Sequence, residues 1–270
     1  MKIGIIGLGY VGGAIYDFYS NIKGIDRIGV YDKYKNGGIG SFKQCLDSDF
    51  LYLCLPTPYC SKTKRYLVDQ IEITVENLYK NEYNGIILIK STVLPGFSAK
   101  LSKIYTDLNI LHNPEFLSAK TASKDFANQS HTILGFTNSN QDVKDKLVAF
   151  HRRAFPKSEL TLCSSDESET IKISANSFYA VKIQFFNEIY DLCQKREINY
   201  NIVKNAIIKN GWINKMHTDV PGHDGMLSYG GACFPKDTKS LLEFMKRSGV
   251  YCSVLDATVN EKEEMRKDNK

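Results

Sequence analysis

The segment Gly230-Gly231-Ala232-Cys233-Phe234-Pro235-Lys236-Asp237 packs the most chemistry into the fewest residues of this chain. Two glycines strip side chains from the approach to a cysteine, Lys236 adds a cation, and Asp237 is placed to start a helix. A thiol near a helix N-terminus and beside a cation is favoured as the thiolate, the form that attacks an aldehyde carbon. Cys54 and Cys193 fall within apolar stretches and read as buried structural thiols. Lys172 and Asn176 are four residues apart and share a helix face. Among so many apolar neighbours they need a polar target: a developing oxyanion or, more simply, an ion pair. Glu115, within Asn113-Pro114-Glu115-Phe116-Leu117, offers a carboxylate that acts as a base or orients water, or is merely solvated. Thr57, in Cys54-Leu55-Pro56-Thr57-Pro58, and Thr92, in Ser91–Gly96, each carry a hydroxyl suited to phosphate, ribose or water, and equally suited to capping a turn.

A second constellation opens the chain. Gly7-Leu8-Gly9-Tyr10-Val11-Gly12 follows an apolar run and precedes an amphipathic one. Glycines at this spacing allow a tight turn, backbone approach to a pyrophosphate and close helix–strand packing. About 20 residues further on, Asp32 stands where an acid binds the adenosine ribose diol, which favours NAD over NADP; Lys33 is its neighbour.

The elements that must position these groups follow from periodicity. Strands are expected at Lys2–Ile6, Arg27–Tyr31, Phe50–Leu55, Gly85–Ile89, Asn109–His112, Thr132–Phe136 and Glu159–Cys163. Helices are expected between them at Val11–Asn21, Val68–Lys80, Phe97–Tyr105 and Gln141–Phe150. This is the pattern of βαβ units over a parallel sheet, which binds ligands beyond the carboxyl ends of its strands. Thr57, Thr92 and Glu115 all follow strands.

Ser164-Ser165-Asp166-Glu167 then reads as a capping box, opening a long helix that runs without Gly or Pro to about Arg196. That helix is apolar on most faces and must be covered on several sides, which predicts a spine and a homodimer through residues 164–197. A loop over 211–235 and two helices, Asp237–Arg247 and Ser253–Arg266, complete the reading. The fold class is α/β: an N-terminal Rossmann-type doubly wound sheet over 1–163, then a long spine helix and small all-α domain over 164–270 carrying the cysteine loop.

The composition is that of an ordinary soluble globular protein, with 43% apolar and 24% charged residues. A net charge of +5 without a dense basic block gives no support to nucleic-acid binding. No apolar run is long enough to span a bilayer, and the N-terminus reads as a strand rather than a signal peptide, which predicts a cytoplasmic protein without membrane partners. The seven cysteines lack metal-ligand spacing, and their odd number argues against a disulfide framework.

Together, Gly7–Gly12, Thr57, Ser91-Thr92-Val93, Asn113–Leu117, Lys172 with Asn176, and Gly230–Asp237 resemble the UDP-glucose/GDP-mannose dehydrogenase family, in family order and over almost the whole chain. The resemblance implies an NAD-dependent nucleotide-sugar 6-dehydrogenase that oxidises an alcohol twice, through a thiohemiacetal and a thioester on Cys233. It implies catalytic roles for Cys233, Lys172, Asn176, Asp237, Glu115 and Thr92. Cofactor contacts would come from Gly7, Gly9, Tyr10, Val11, Gly12, Asp32, Lys33, Thr57, Thr92 and Lys236. Substrate contacts would come from Glu115, Phe116, Leu117, Lys172, Asn176, Tyr229 and Gly230.

Three departures stand out. A glutamate usual four residues after Glu115 is Ala119 here, and Trp212–Tyr229 lacks the family's substrate arginine, with Lys215 and His217 as candidate substitutes. The family's third domain, which supplies much of the nucleotide pocket, has no counterpart in these residues. UDP-glucose is the first substrate expected. GDP-mannose, a UDP-N-acetylhexosamine, or a non-catalytic NAD-binding subunit that needs a partner chain are the alternatives.

Overall fold

A computed structural model describes residues 1–138 and 140–266, and these divide into two units. The first comprises Met1–Pro58 and Leu67–Lys172; the second comprises Tyr59–Tyr66 and Ile173–Lys270, of which residues up to 266 are described.

The first unit is built on an eight-stranded sheet. Its strands are β1 (Lys2–Ile6), β2 (Arg27–Asp32), β3 (Ile39–Gly40), β4 (Phe50–Leu53), β7 (Ile86–Ile89), β8 (Asn109–His112), β9 (His131–Phe136) and β10 (Glu159–Ser164). Their spatial order is β10-β9-β8-β7-β4-β1-β2-β3. The central strands are buried on both sides, and alternate side chains face opposite layers. From β4, Phe50 and Tyr52 join the layer of α1 (Tyr10–Tyr19), α5 (Ala122–Ala127) and α6 (Gln141–Ala154), packing with Ile15, Tyr19, Phe126, Leu147 and Phe150. Leu51 and Leu53 join the layer of α2 (Phe42–Leu46), α3 (Asp69–Lys80) and α4 (Phe97–Ile104), packing with Ile71, Val75, Leu78 and Leu101.

The sheet is not wholly parallel, which corrects the sequence expectation. β9 runs antiparallel to β8, β10 then pairs parallel to β9, and the edge strand β3 is antiparallel to β2. Period-two alternation reads the same in either strand direction, so the pattern that located β9 could not orient it.

The second unit contains most of α7 (Ser165–Lys195), together with α8 (Tyr200–Lys209), α9 (Phe234–Arg247) and α10 (Ser253–Met265). It also holds a two-stranded antiparallel hairpin, β5 (Tyr59–Cys60) and β6 (Arg65–Tyr66). The capping box forms: the Ser164 amide donates to Glu167 Oε2 at 2.7 Å, and the Glu167 amide donates to Ser164 Oγ at 3.2 Å. The division between units falls inside α7, after Lys172, rather than at the start of the helix. Phe186, Cys193 and Tyr200 form one small core of this unit, and Leu242, Leu255 and Val259 another. Helix α9 starts at Phe234, three residues before the expected Asp237, because Pro235 is tolerated in a first helical turn.

Candidate active site

At the head of the first unit, the glycine loop between β1 and α1 has the geometry that its spacing requires. Gly7 has φ +91°, and a Cβ there would lie 2.4 Å from the Cys54 carbonyl oxygen. A Cβ on Gly12 would lie 1.9 Å from the carbonyl oxygen of Gly7, so the helix can pack this closely only through glycine. Nothing lies within 4 Å of a Cβ placed on Gly9, which leaves that side of the loop open. Tyr10 and Val11 begin α1, whose first turn carries no acidic side chain, and a helix N-terminus of this kind receives a pyrophosphate.

Asp32 ends β2 and fixes the loop from the other side. Its Oδ2 accepts from the Leu8 amide at 2.7 Å, and its Oδ1 accepts from the amides of Tyr34 and Lys35 at 3.0 and 2.9 Å. These donors hold the carboxyl below its usual range, although desolvation, the largest single influence, opposes them. A carboxylate oxygen has room for further donors, so the ribose role remains chemically open to it. Lys33 is turned onto the Tyr34 ring at 5.3 Å, whereas Lys35 reaches the loop and donates to the Leu8 carbonyl at 2.6 Å. The open glycine turn, the uncapped helix start and the acid at the end of β2 fit a dinucleotide such as NAD.

The same unit gathers a second cluster. Thr57 Oγ1 donates to the Thr92 carbonyl at 2.8 Å, tying the loops after β4 and β7 together. Glu115 and Lys172 are both buried and form an ion pair at 3.3 Å. The other Glu115 oxygen, Oε2, accepts from the Leu117 amide at 2.6 Å, and the Lys172 ammonium lies 4.9 Å from the centre of the exposed Phe116 ring. A buried ion pair adds little net stability over apolar residues of equal volume; what it supplies is a fixed charge.

Lys90, which sequence reasoning did not single out, holds this loop from below. It follows β7, is buried, and donates to Asn113 Oδ1 at 3.1 Å and to the Pro114 carbonyl at 3.0 Å. Burial pulls its ammonium down to about 8, against the opposing influence of Cys54 and Glu115. Its sequence signal was faint: one lysine at the carboxyl end of the apolar run Ile86–Ile89. His112, also buried, is lowered to about 3 by desolvation and pairs through Nδ1 with Ser168 Oγ at 2.8 Å.

The second unit holds the thiol. Cys233 is the N-cap residue of α9, with Pro235 in the first turn after it. One turn on, Asp237 is fully buried and its amide donates to the Cys233 carbonyl at 3.0 Å. Asp237 Oδ2 accepts from Asn176 Nδ2 at 2.6 Å, and Oδ1 accepts from Lys236 Nζ at 2.5 Å and from the hydroxyl of Tyr66. In the first unit, burial drives the Cys54 thiol up to about 12 and Cys45 up to about 11.

The loop leading to Cys233 is clamped along its length. Ser228 Oγ donates to Gln184 Oε1 at 2.6 Å and its amide donates to Asn187 Oδ1 at 2.8 Å. Tyr229 is buried with its hydroxyl 3.4 Å from Thr238 Oγ1, which leaves that hydroxyl turned into the unit. Arg266 pairs with Asp224 at 2.8 Å and fills the space a Cβ on Gly230 would take, 2.1 Å from its Nη2. His217 packs against the rings of Tyr179 and Phe234, at 5.2 and 5.4 Å. Thr57, Thr92, Glu115, Phe116, Leu117 and Lys172 thus belong to the first unit, and Asn176, Tyr229, Gly230, Cys233, Lys236 and Asp237 to the second.

Comparison with known proteins gives these clusters a family. Residues 39–154 match the model of the UDP-glucose/GDP-mannose dehydrogenase family NAD-binding domain, and residues 166–263 match its central domain. A UDP-glucose 6-dehydrogenase of Rhizobium meliloti is 28% identical over 298 residues, covering 96% of this chain and 67% of that protein. An uncharacterised protein of Methanocaldococcus jannaschii is 29% identical over 276 residues, covering 88% of this chain and 30% of its own length. The chain thus spans from under a third to two thirds of these relatives. A solved UDP-glucose dehydrogenase from the archaeon Pyrobaculum islandicum superposes with a TM-score of 0.81 at 20% identity, covering 97% of this chain and 68% of that one. The α/β fold is shared with it, the cofactor is NAD, and the chain belongs to the UDP-glucose/GDP-mannose dehydrogenase family.

Proposed function

We propose that this protein oxidises the primary alcohol of a nucleotide sugar to the carboxylate in two steps, with Cys233 as the nucleophile and UDP-glucose as the first substrate to try. NAD, when bound, accepts a hydride in each oxidation. In the first, a base takes the hydroxyl proton as the carbon loses hydride, which leaves an aldehyde. The Cys233 thiolate adds to that carbonyl carbon, and the oxygen takes up a proton to give a thiohemiacetal. Loss of this proton and a second hydride leaves a thioester, which water cleaves to release the acid and restore the thiol.

Lys172 and Asn176, one turn apart on α7, supply a cation and an amide donor for oxygen-centred charge. Glu115 serves as acid/base for hydrolysis, while Asp237 and Thr92 orient water or the lysine. The observation that carries the reading is Cys233 at the N-cap of α9, two residues after the Gly230-Gly231 pair and one turn from a buried, fully hydrogen-bonded Asp237.

Helix α7 supports a homodimer as part of the same proposal. Ile171, Phe178, Phe185 and Leu192 are all exposed on it and recur at one-heptad intervals, the spacing that keeps a seam facing a partner helix.

Replacing Cys233 tests the chemistry. Cys233→Ser should retain NAD binding and stall after one hydride transfer, with aldehyde detectable by hydrazine trapping. Full two-step turnover by that variant would contradict a thioester route.

A further inference from the structure

The third donor to Asp237 comes from outside every segment that carries the family resemblance. Tyr66 lies on the hairpin β5–β6, 171 residues away in sequence, and its hydroxyl donates to Asp237 Oδ1. The residue is buried, and the Lys236 ammonium sits 4.7 Å from the centre of its ring. With Asn176 holding Oδ2, a phenol and an ammonium on Oδ1 fix the plane of the carboxylate and share its charge. Burial first, and the Asp237 charge second, hold the phenol well above its usual range, so it remains a donor at every physiological pH.

We propose that Tyr66 is a positioning residue of the Cys233 site: its hydroxyl locks the orientation of the Asp237 carboxylate and disperses its charge beside the thiol at the start of α9. The carboxylate occurs one helical turn from Cys233, on the same helix face. An anion with fewer donors there would oppose formation of a thiolate, whereas one bound by three donors does so far less. The hairpin explains how the residue enters the site. Residues 59–66 form part of the second unit although both flanks belong to the first, and the hairpin carries its tyrosine to α9. Nothing in the run Tyr59–Tyr66 marks it as chemical when read in sequence.

The proposal rests on the reading of Cys233 as the nucleophile, and two measurements on the full chain separate it from the sugar assignment. The first is the rate of Cys233 alkylation by iodoacetamide, followed by peptide mass spectrometry, which needs neither sugar nor NAD. The second is steady-state NADH formation. Tyr66→Phe keeps the ring beneath Lys236, and urea unfolding checks that the fold is retained. Alkylation at pH 7.5 should slow by roughly three- to tenfold, and kcat should fall by about tenfold or more with KM for NAD nearly unchanged. In an Asp237→Asn background Tyr66→Phe should add little to either effect, because residues acting through one contact are not additive. Unchanged alkylation in Tyr66→Phe, or effects that multiply with those of Asp237→Asn, would overturn the proposal. Coupled alkylation in a protein that turns over no nucleotide sugar would sustain the role of Tyr66 and overturn the substrate reading instead.

Discussion

Glu169, one turn before Lys172 on α7, shows how much of this protein's chemistry is set by individual buried groups. It is fully buried and accepts from the Gly96 amide at 2.7 Å and the Ser98 amide at 2.8 Å, closing the N-terminus of α4 and so the loop that carries Thr92. Desolvation outweighs those donors and raises its carboxyl from 4.5 to about 7. A carboxyl raised on folding binds its proton more tightly in the native state, so its contribution is greatest below the unfolded value and is lost as pH rises through the folded one. Wild-type protein should therefore lose roughly 2 kcal/mol relative to Glu169→Gln between pH 5 and 7.5. Urea unfolding of both proteins at the two pH values would measure this, and parallel pH profiles would contradict it. Cys233, Lys172, Asn176, Asp237 and Glu115 were legible in the sequence because each sits in a short segment whose residue types serve one chemistry. Tyr66, Lys90 and Glu169 were not. Tyr66 and Glu169 act on partners distant in sequence, 171 residues away for Tyr66 and 71–73 for Glu169, and no spacing rule links such pairs. Lys90 does so on a smaller scale, with its partners in the next loop but one.

Among the elements, α7 carries the clearest consequence. Ile171, Phe178, Phe185 and Leu192 form an exposed stripe along it. Phe178 and Phe185 are 62% and 51% exposed, a large apolar area to leave in water. Sedimentation velocity at micromolar concentration should give a dimer for the wild type and a monomer for a Phe178→Asp, Phe185→Asp double variant. A monomeric wild type, or a double variant that still dimerises, would contradict the seam. The helix was readable from its capping box, its freedom from Gly and Pro, and its apolar residues on most faces. Strands such as β4 were equally plain, since Phe50–Leu53 is apolar throughout and buried throughout. The hairpin β5–β6 left no trace because each strand has two residues, too few to show a period. Helix α8 lay in the stretch between the expected spine and the cysteine loop, where Tyr200–Lys209 mixes apolar, amide and basic residues.

For the whole molecule, the sequence motifs are distributed between a unit that receives NAD and a unit that carries a thiol. No helix among the described residues is long and apolar enough to cross a membrane. Each unit pairs a buried carboxylate with a lysine: Glu115 with the buried Lys172, and Asp237 with the half-buried Lys236. A nucleotide-sugar dehydrogenase of the proposed kind needs both, one for the cofactor and the acid/base work and one for the covalent step. Counting NADH formed per sugar consumed, with purified protein, NAD and UDP-glucose, then with other nucleotide sugars, tests this directly. Two NADH per sugar, with the uronic acid as product, is the predicted result. One NADH per sugar with the aldehyde released, or none with any nucleotide sugar despite tight NAD binding, would contradict it.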